Sequence, residues 1–145
     1  MTMTLPGLIT SMKKTFKKQI ASLDEIFDFV RECAIAHDFN QGAEYSVALV
    51  VEELFTNMVK YSTESCNDVA IAVSREGGKL TVTLIDTDVE PFDVTQRPDI
   101  NGLATLEERK AGGLGIHILK ELMDSITYEY ENRCSKIICV KSLEQ

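Results

Sequence analysis

The sequence contains no tryptophan, three prolines and two histidines, and it has no apolar run approaching the ~20 residues that a membrane-spanning helix needs. A membrane role is therefore not expected. His37 and His117 stand far apart, and Cys33, Cys66, Cys134 and Cys139 show no C-x-x-C spacing, which excludes the common zinc motifs and leaves four free thiols acting as small buried hydrophobes in a reducing compartment. No G-x-x-x-x-G-K-[ST] loop is present. Positive charge is also short, with Lys and Arg totalling 15 against 23 Asp and Glu, for a net charge of -8. Nucleic-acid binding, which depends on cations displacing counterions along a phosphate backbone, is excluded by that balance. Met1 to Met12 lacks the cationic start and long apolar stretch of a secretory signal, so a cytoplasmic location is expected. Repeats, low-complexity tracts and Ser/Gly linkers are missing too, and residues 1–145 read as one domain.

What is present is ordinary globular material, with 44% hydrophobic and 26% charged residues. Thr15 to Ile20 alternates polar and apolar side chains as a strand does, and Ser22 with Glu25 has the spacing of a capping box, predicting a helix to about His37. Asn40 and Gly42 end that helix, and a second one is expected from near Ala43 through Lys60. Val69 to Ser74 and Lys79 to Asp86 read as strands joined by a turn at Gly77-Gly78. The polar stretch from Thr87 to Gly112, with a short helix possible over Leu103 to Arg109, predicts a long functional loop. A helix over Ile116 to Met123 and strands over Ser125 to Tyr130 and Ser135 to Lys141 complete the chain. The resulting order predicts a two-layer α/β sandwich, in which helices cover one face of a mixed, mostly antiparallel sheet.

Three local features carry chemistry. On the second helix, Val47, Val51, Leu54, Met58 and Tyr61 share the face expected to meet the core, with Glu53 and Asn57 one turn apart on its flank. An amide oxygen is a neutral hard ligand suited to Mg²⁺, and a partly desolvated glutamate can accept a proton from a hydroxyl. Asp86 ends an apolar strand, where its carboxylate can accept from the amino group of a base. Gly112-Gly113-Leu114-Gly115 directly precedes a helix, where bare backbone amides can hold a phosphate. Each signal is common on surfaces, turns or hinges when it stands alone; their order along one chain is what makes them informative.

That ordered set resembles the GHKL (histidine-kinase-like) ATPase superfamily, and within it the RsbW-type anti-sigma factor serine/threonine kinases. The resemblance runs over nearly the whole chain and implies the Bergerat-type fold. Val51-Glu52-Glu53-Leu54-Phe55-Thr56-Asn57 is similar to the N-box helix, which would make Glu53 the general base and Asn57 the Mg²⁺ ligand. Asp86 matches the aspartate that recognises the adenine amino group, and Pro91-Phe92-Asp93 matches a tripeptide characteristic of the anti-sigma branch. Gly113, Leu114, Gly115 and Ile116, with Leu122-Met123-Asp124 downstream, resemble the second glycine box. Thr87 to Gly112 would then be the lid over the nucleotide, with Arg109 or Lys110 touching a phosphate. Two positions depart from the pattern. Asp88 stands where the family has glycine, putting a negative side chain beside the expected nucleotide, and Tyr61 stands where histidine is frequent.

The resemblance implies ATP and Mg²⁺ as cofactors, transfer of phosphate to a serine of a STAS-domain anti-anti-sigma protein, a sigma factor as a second partner, and a homodimer. A different class stays open: a nonenzymatic partner-binding module of the same fold with lost or weakened nucleotide turnover, as Asp88 suggests. A sensor kinase is disfavoured because neither histidine sits in an acceptor context.

Overall fold

The computed structural model describes residues 9–61, 67–91 and 115–143. Five strands, β1 (Ile9–Phe16), β2 (Val69–Glu76), β3 (Lys79–Thr87), β4 (Ser125–Glu131) and β5 (Cys134–Ser142), form one sheet in the order β1-β2-β3-β5-β4. The four pairings are all antiparallel. Among the described residues, three α-helices pack on the sheet: α1 (Leu23–Ala36), α2 (Gln41–Tyr61) and α3 (Gly115–Leu122), with α2 touching both of the others and β3. This is the expected two-layer sandwich.

Alternation explains which face is covered. Along β3, Leu80, Val82 and Leu84 are buried while Thr81, Thr83 and Ile85 are only partly so, and Val69, Ile71 and Val73 of β2 and Ile137 and Cys139 of β5 extend the same buried face. Against it lie Ile26, Phe29, Val30 and Cys33 of α1 and Val47, Val50, Val51, Leu54, Phe55 and Met58 of α2, forming one contiguous core. Burial pushes the Cys33 and Cys139 thiols up to about 12, so both behave as the small hydrophobes expected of them.

Two sequence expectations need correction. The first strand runs over Ile9–Phe16 instead of Thr15 to Ile20, and Ile20–Ser22 is a turn of 3-10 helix. As an edge strand that buries only Phe16, β1 takes its position from pairing with β2, from Ile9 opposite Glu76 to Phe16 opposite Val69, and not from its own alternation. The capping box is also absent. The 3-10 turn leaves Ser22 already helical, at φ -73° and ψ -11°, and its hydroxyl donates to the Lys17 carbonyl at 2.7 Å.

The junction between α1 and α2 is tightly specified. Asp38 takes a left-handed backbone at φ 56°, and the Phe39 amide reaches back to the Ala34 carbonyl at 3.0 Å, which is a Schellman closure of α1. Arg75 donates to the His37 and Asp38 carbonyls at 2.6 and 2.8 Å, placing a cation at the negative end of α1. Asn40 then accepts from the Ala43 amide at 2.9 Å and so opens α2 as its cap.

Candidate functional site

Glu53 and Asn57 lie on α2 with the expected one-turn spacing. Glu53 is half-buried with its Oε1 out of solvent. Asn57 goes deeper than the flank position expected of it, for it is only 1% exposed. Among the described residues neither atom of its amide has a hydrogen-bond partner. A buried amide without partners costs on the order of 1–3 kcal/mol, so a well-packed helix does not keep one without reason. The amide is therefore chemically suited to a ligand, since its neutral oxygen is not consumed by a bond to a described residue.

Asp86 continues the buried column of Leu80, Val82 and Leu84 at the end of the central strand, so its carboxylate faces the helical layer and not the outer rim of the sheet. It is 1% exposed. The cation Lys18, whose side chain is 5% exposed, brings its Nζ to 2.8 Å from Asp86 Oδ1, close enough for an ion pair although not aligned as a hydrogen bond at that oxygen. The strand register also sets buried Ser135 of β5 directly opposite Asp86. Sequence reasoning missed both neighbours. Lys18 was hidden by a first strand read through it to Ile20, and Ser135 shows its relation to Asp86 only through strand pairing.

Beyond Asp86 the chain turns at Asp88, which adopts φ 58°, the left-handed conformation that glycine takes most readily and aspartate tolerates. The side chain that distinguishes it from glycine is 66% exposed and held by Arg133, whose Nε donates to Asp88 Oδ1 at 2.9 Å while an Nη donates to Glu90 Oε1 at 3.0 Å. Backbone ties reinforce this strap: the Val89 amide donates to the Arg133 carbonyl at 3.1 Å, and the Tyr130 hydroxyl donates to the Val89 carbonyl at 2.7 Å. The charge of Asp88 is thus countered locally.

Gly115 begins α3, with Ile116 in its first turn, and α3 packs against α2. Arg109, Lys110, Gly113 and Leu114 lie outside the described residues, as does most of the expected lid. Glu53 and Asn57 thus lie on α2 and Asp86 at the end of β3 on the face toward the helices, and α2 packs against both β3 and α3. A cleft of about 790 Å³ at the other end of the sheet, near the β2-β3 turn, is a poor competitor. Its cations are already engaged, Arg75 with the His37, Asp38 and Gly77 carbonyls and Lys141 with the Leu122 carbonyl.

Residues 16–141 match the family described as Histidine kinase-like ATPase domain. The chain belongs to this family. Among solved structures, this histidine kinase-like ATPase domain is similar in fold to the RsbU and RsbW domains of Rv1364c from Mycobacterium tuberculosis, with a TM-score of 0.66 and 12% identity, covering 94% of this chain and 33% of that one. It is also similar to the histidine kinase domain of the blue-light activated kinase EL346 from Erythrobacter litoralis, at a TM-score of 0.49 and 17% identity, covering 86% of this chain and 60% of that one. The chain thus spans about a third of the first of these structures. No curated protein matches the sequence. Among the described residues, the ATPase domain has no helix long and apolar enough to cross a membrane, and no group of three His, Cys, Asp or Glu able to hold a metal. A Mg²⁺ ion at Asn57 would accordingly depend on phosphate oxygens and water for most of its ligands, which is how this ion is usually held beside nucleotides.

Proposed function

We propose that the domain binds ATP with Mg²⁺ and transfers phosphate to a serine or threonine hydroxyl of a protein partner, as an anti-sigma regulatory kinase acting on a STAS-domain anti-anti-sigma protein. The observation that carries the reading is Asn57: a neutral amide, 1% exposed, without a protein partner among the described residues, one turn from the carboxylate of Glu53 in a chain of this ATPase family. The bound nucleotide supplies the transferable phosphoryl group, and the magnesium ion neutralises its charge. Asn57 holds the metal through its amide oxygen. Glu53 accepts the proton of the attacking hydroxyl, a role suited to a carboxylate half withdrawn from water. Asp86 accepts from the exocyclic amino group of the base. Gly113, Leu114, Gly115 and Ile116 offer backbone amides to the phosphates, with Arg109 or Lys110 closing from the lid. The anti-sigma branch rests on Pro91-Phe92-Asp93. A sigma factor as second partner, a homodimer and a cytoplasmic location belong to the same reading.

Asp88 favours a second reading, a partner-binding module without turnover, because glycine is the family residue there. Titration calorimetry with ATP and Mg²⁺ separates the two: a kinase gives a saturable heat, a module without nucleotide function none. Glu53→Ala is expected to keep ATP binding and lose phosphate transfer by about 10²–10⁴-fold, while Asn57→Ala loses Mg²⁺-dependent binding. Undiminished transfer by Glu53→Ala would remove it as the base.

A further inference from the structure

The central strand β3 leaves the sheet unevenly. Its register with β2 ends at Ala70 opposite Ile85, whereas its register with β5 runs on through Asp86 opposite Ser135 to Thr87 opposite Cys134. The carboxylate proposed to read adenine is therefore carried on a stretch of strand laddered to β5 and no longer to β2. Element ends held in this way are where a sheet opens first. A clasp lies just beyond. The Val89 amide donates to the Arg133 carbonyl at 3.1 Å, the Tyr130 hydroxyl donates to the Val89 carbonyl at 2.7 Å, and Val89 itself is 1% exposed. The Arg133 side chain closes it, reaching Asp88 Oδ1 at 2.9 Å and Glu90 Oε1 at 3.0 Å.

Backbone strain gathers at the same place. Among the described residues, four non-glycine residues take a left-handed backbone, and three of them, Asp88, Asn132 and Arg133, meet in this clasp. A two-residue hairpin turn with both φ angles positive is made most readily by Asn-Gly. This turn keeps the asparagine but sets an arginine at φ 59°, where glycine would sit without strain. Stability does not explain the choice, because exposed ion pairs contribute little and the Arg133, Asp88 and Glu90 side chains are 48%, 66% and 69% exposed. Strain kept without a matching gain in stability points to function. We infer that Arg133 is a positioning residue for Asp86. By clamping residues 88–90 to the β4-β5 turn it keeps the end of β3 against β5, and so holds the Asp86 carboxylate where it accepts from the N6 amino group of adenine. Lys18 and Asn67 engage the side chains of Asp86 and Thr87, at 2.8 and 3.1 Å, while Arg133 governs the path of the chain that carries them.

The inference rests on the nucleotide reading given above, and the test separates the two. ATP and inosine triphosphate, in which a carbonyl oxygen replaces the N6 amino group, are titrated calorimetrically into the full chain with Mg²⁺. Wild type is expected to bind inosine triphosphate about tenfold or more weakly than ATP, the usual cost of losing a hydrogen bond to a charged group. Arg133→Gly removes the side chain and the strain together, so its urea midpoint should stay near that of wild type while its preference for ATP falls by about threefold or more. Arg133→Asn tolerates the left-handed backbone and lacks the guanidinium; it is expected to lower the preference in the same way, and it carries the test should the glycine variant not fold. An arginine with a merely structural role would weaken both nucleotides alike. An unchanged preference in the folded variants therefore overturns the role of Arg133 and leaves the nucleotide site standing. Equal affinity of wild type for the two nucleotides removes Asp86 as the reader of the base and the inference with it, and absence of ATP binding by wild type overturns the nucleotide reading as a whole.

Discussion

His37 shows how one side chain fastens an edge strand to the helical layer. Its Nε2–H donates to the Val73 carbonyl at 3.1 Å, which leaves Nδ1 to accept from the Thr10 hydroxyl at 2.7 Å, so the neutral ring bridges β1 and β2 from the end of α1. Burial, more than any other factor, holds its pKa below the ordinary 6.5; the bond to Val73 opposes that effect and the charge of Arg75 adds to it. The unfolded chain therefore takes up the proton more readily. The stability that this group contributes is complete above about pH 6.5 and declines as pH falls below it toward the folded-state value. Urea midpoints measured at about pH 7.5 and about pH 5.5 should fall with acidity more steeply for wild type than for His37→Gln, and identical slopes would remove His37 as the cause. The sequence showed a histidine of no evident purpose; its purpose depends on Thr10 and Val73, far away in the chain.

At the scale of elements, the two hairpins differ in how openly they declare themselves. Gly77-Gly78 signals the β2-β3 turn, and Gly77 takes the positive φ of 59° that glycine permits. The β4-β5 turn uses Asn132 and Arg133, both at positive φ, 53° and 59°, the backbone of a type I′ turn without its usual glycine. Arg133 occupies a strained position, and its side chain holds Asp88 and Glu90 from there. Arg133→Ala and Arg133→Gly both remove those bonds, but alanine still pays the left-handed cost, so the glycine variant should be the more stable by about 1 kcal/mol in urea denaturation. Equal stability would show that the turn changes shape when the arginine is lost. Strands and helices with their own period were legible within a residue or two, as α2 and β3 show. β1 was not, because an edge strand that buries one residue has little alternation to display.

For the molecule as a whole, the nucleotide reading has a thermodynamic consequence. A ligand at about 100 times its Kd stabilises the native state by about 2.7 kcal/mol, which for a domain of this size raises Tm by about 5–10 °C. Saturating ATP with Mg²⁺ should produce that shift in wild type and not in Asn57→Ala, followed by thermal denaturation. A shift of the same size in the variant would mean that the nucleotide is held elsewhere.

The sequence by itself determined the two-layer plan, the order of the elements, and the succession of Glu53, Asn57, Asp86 and the glycine turn, because each is written in short-range spacing. Tertiary structure decided the position of β1, the burial of Asn57, the placement of Ser135 opposite Asp86 and the meeting of Lys18 with that carboxylate. These relations join residues distant in the chain, and only strand register and helix packing bring such residues within reach of one another.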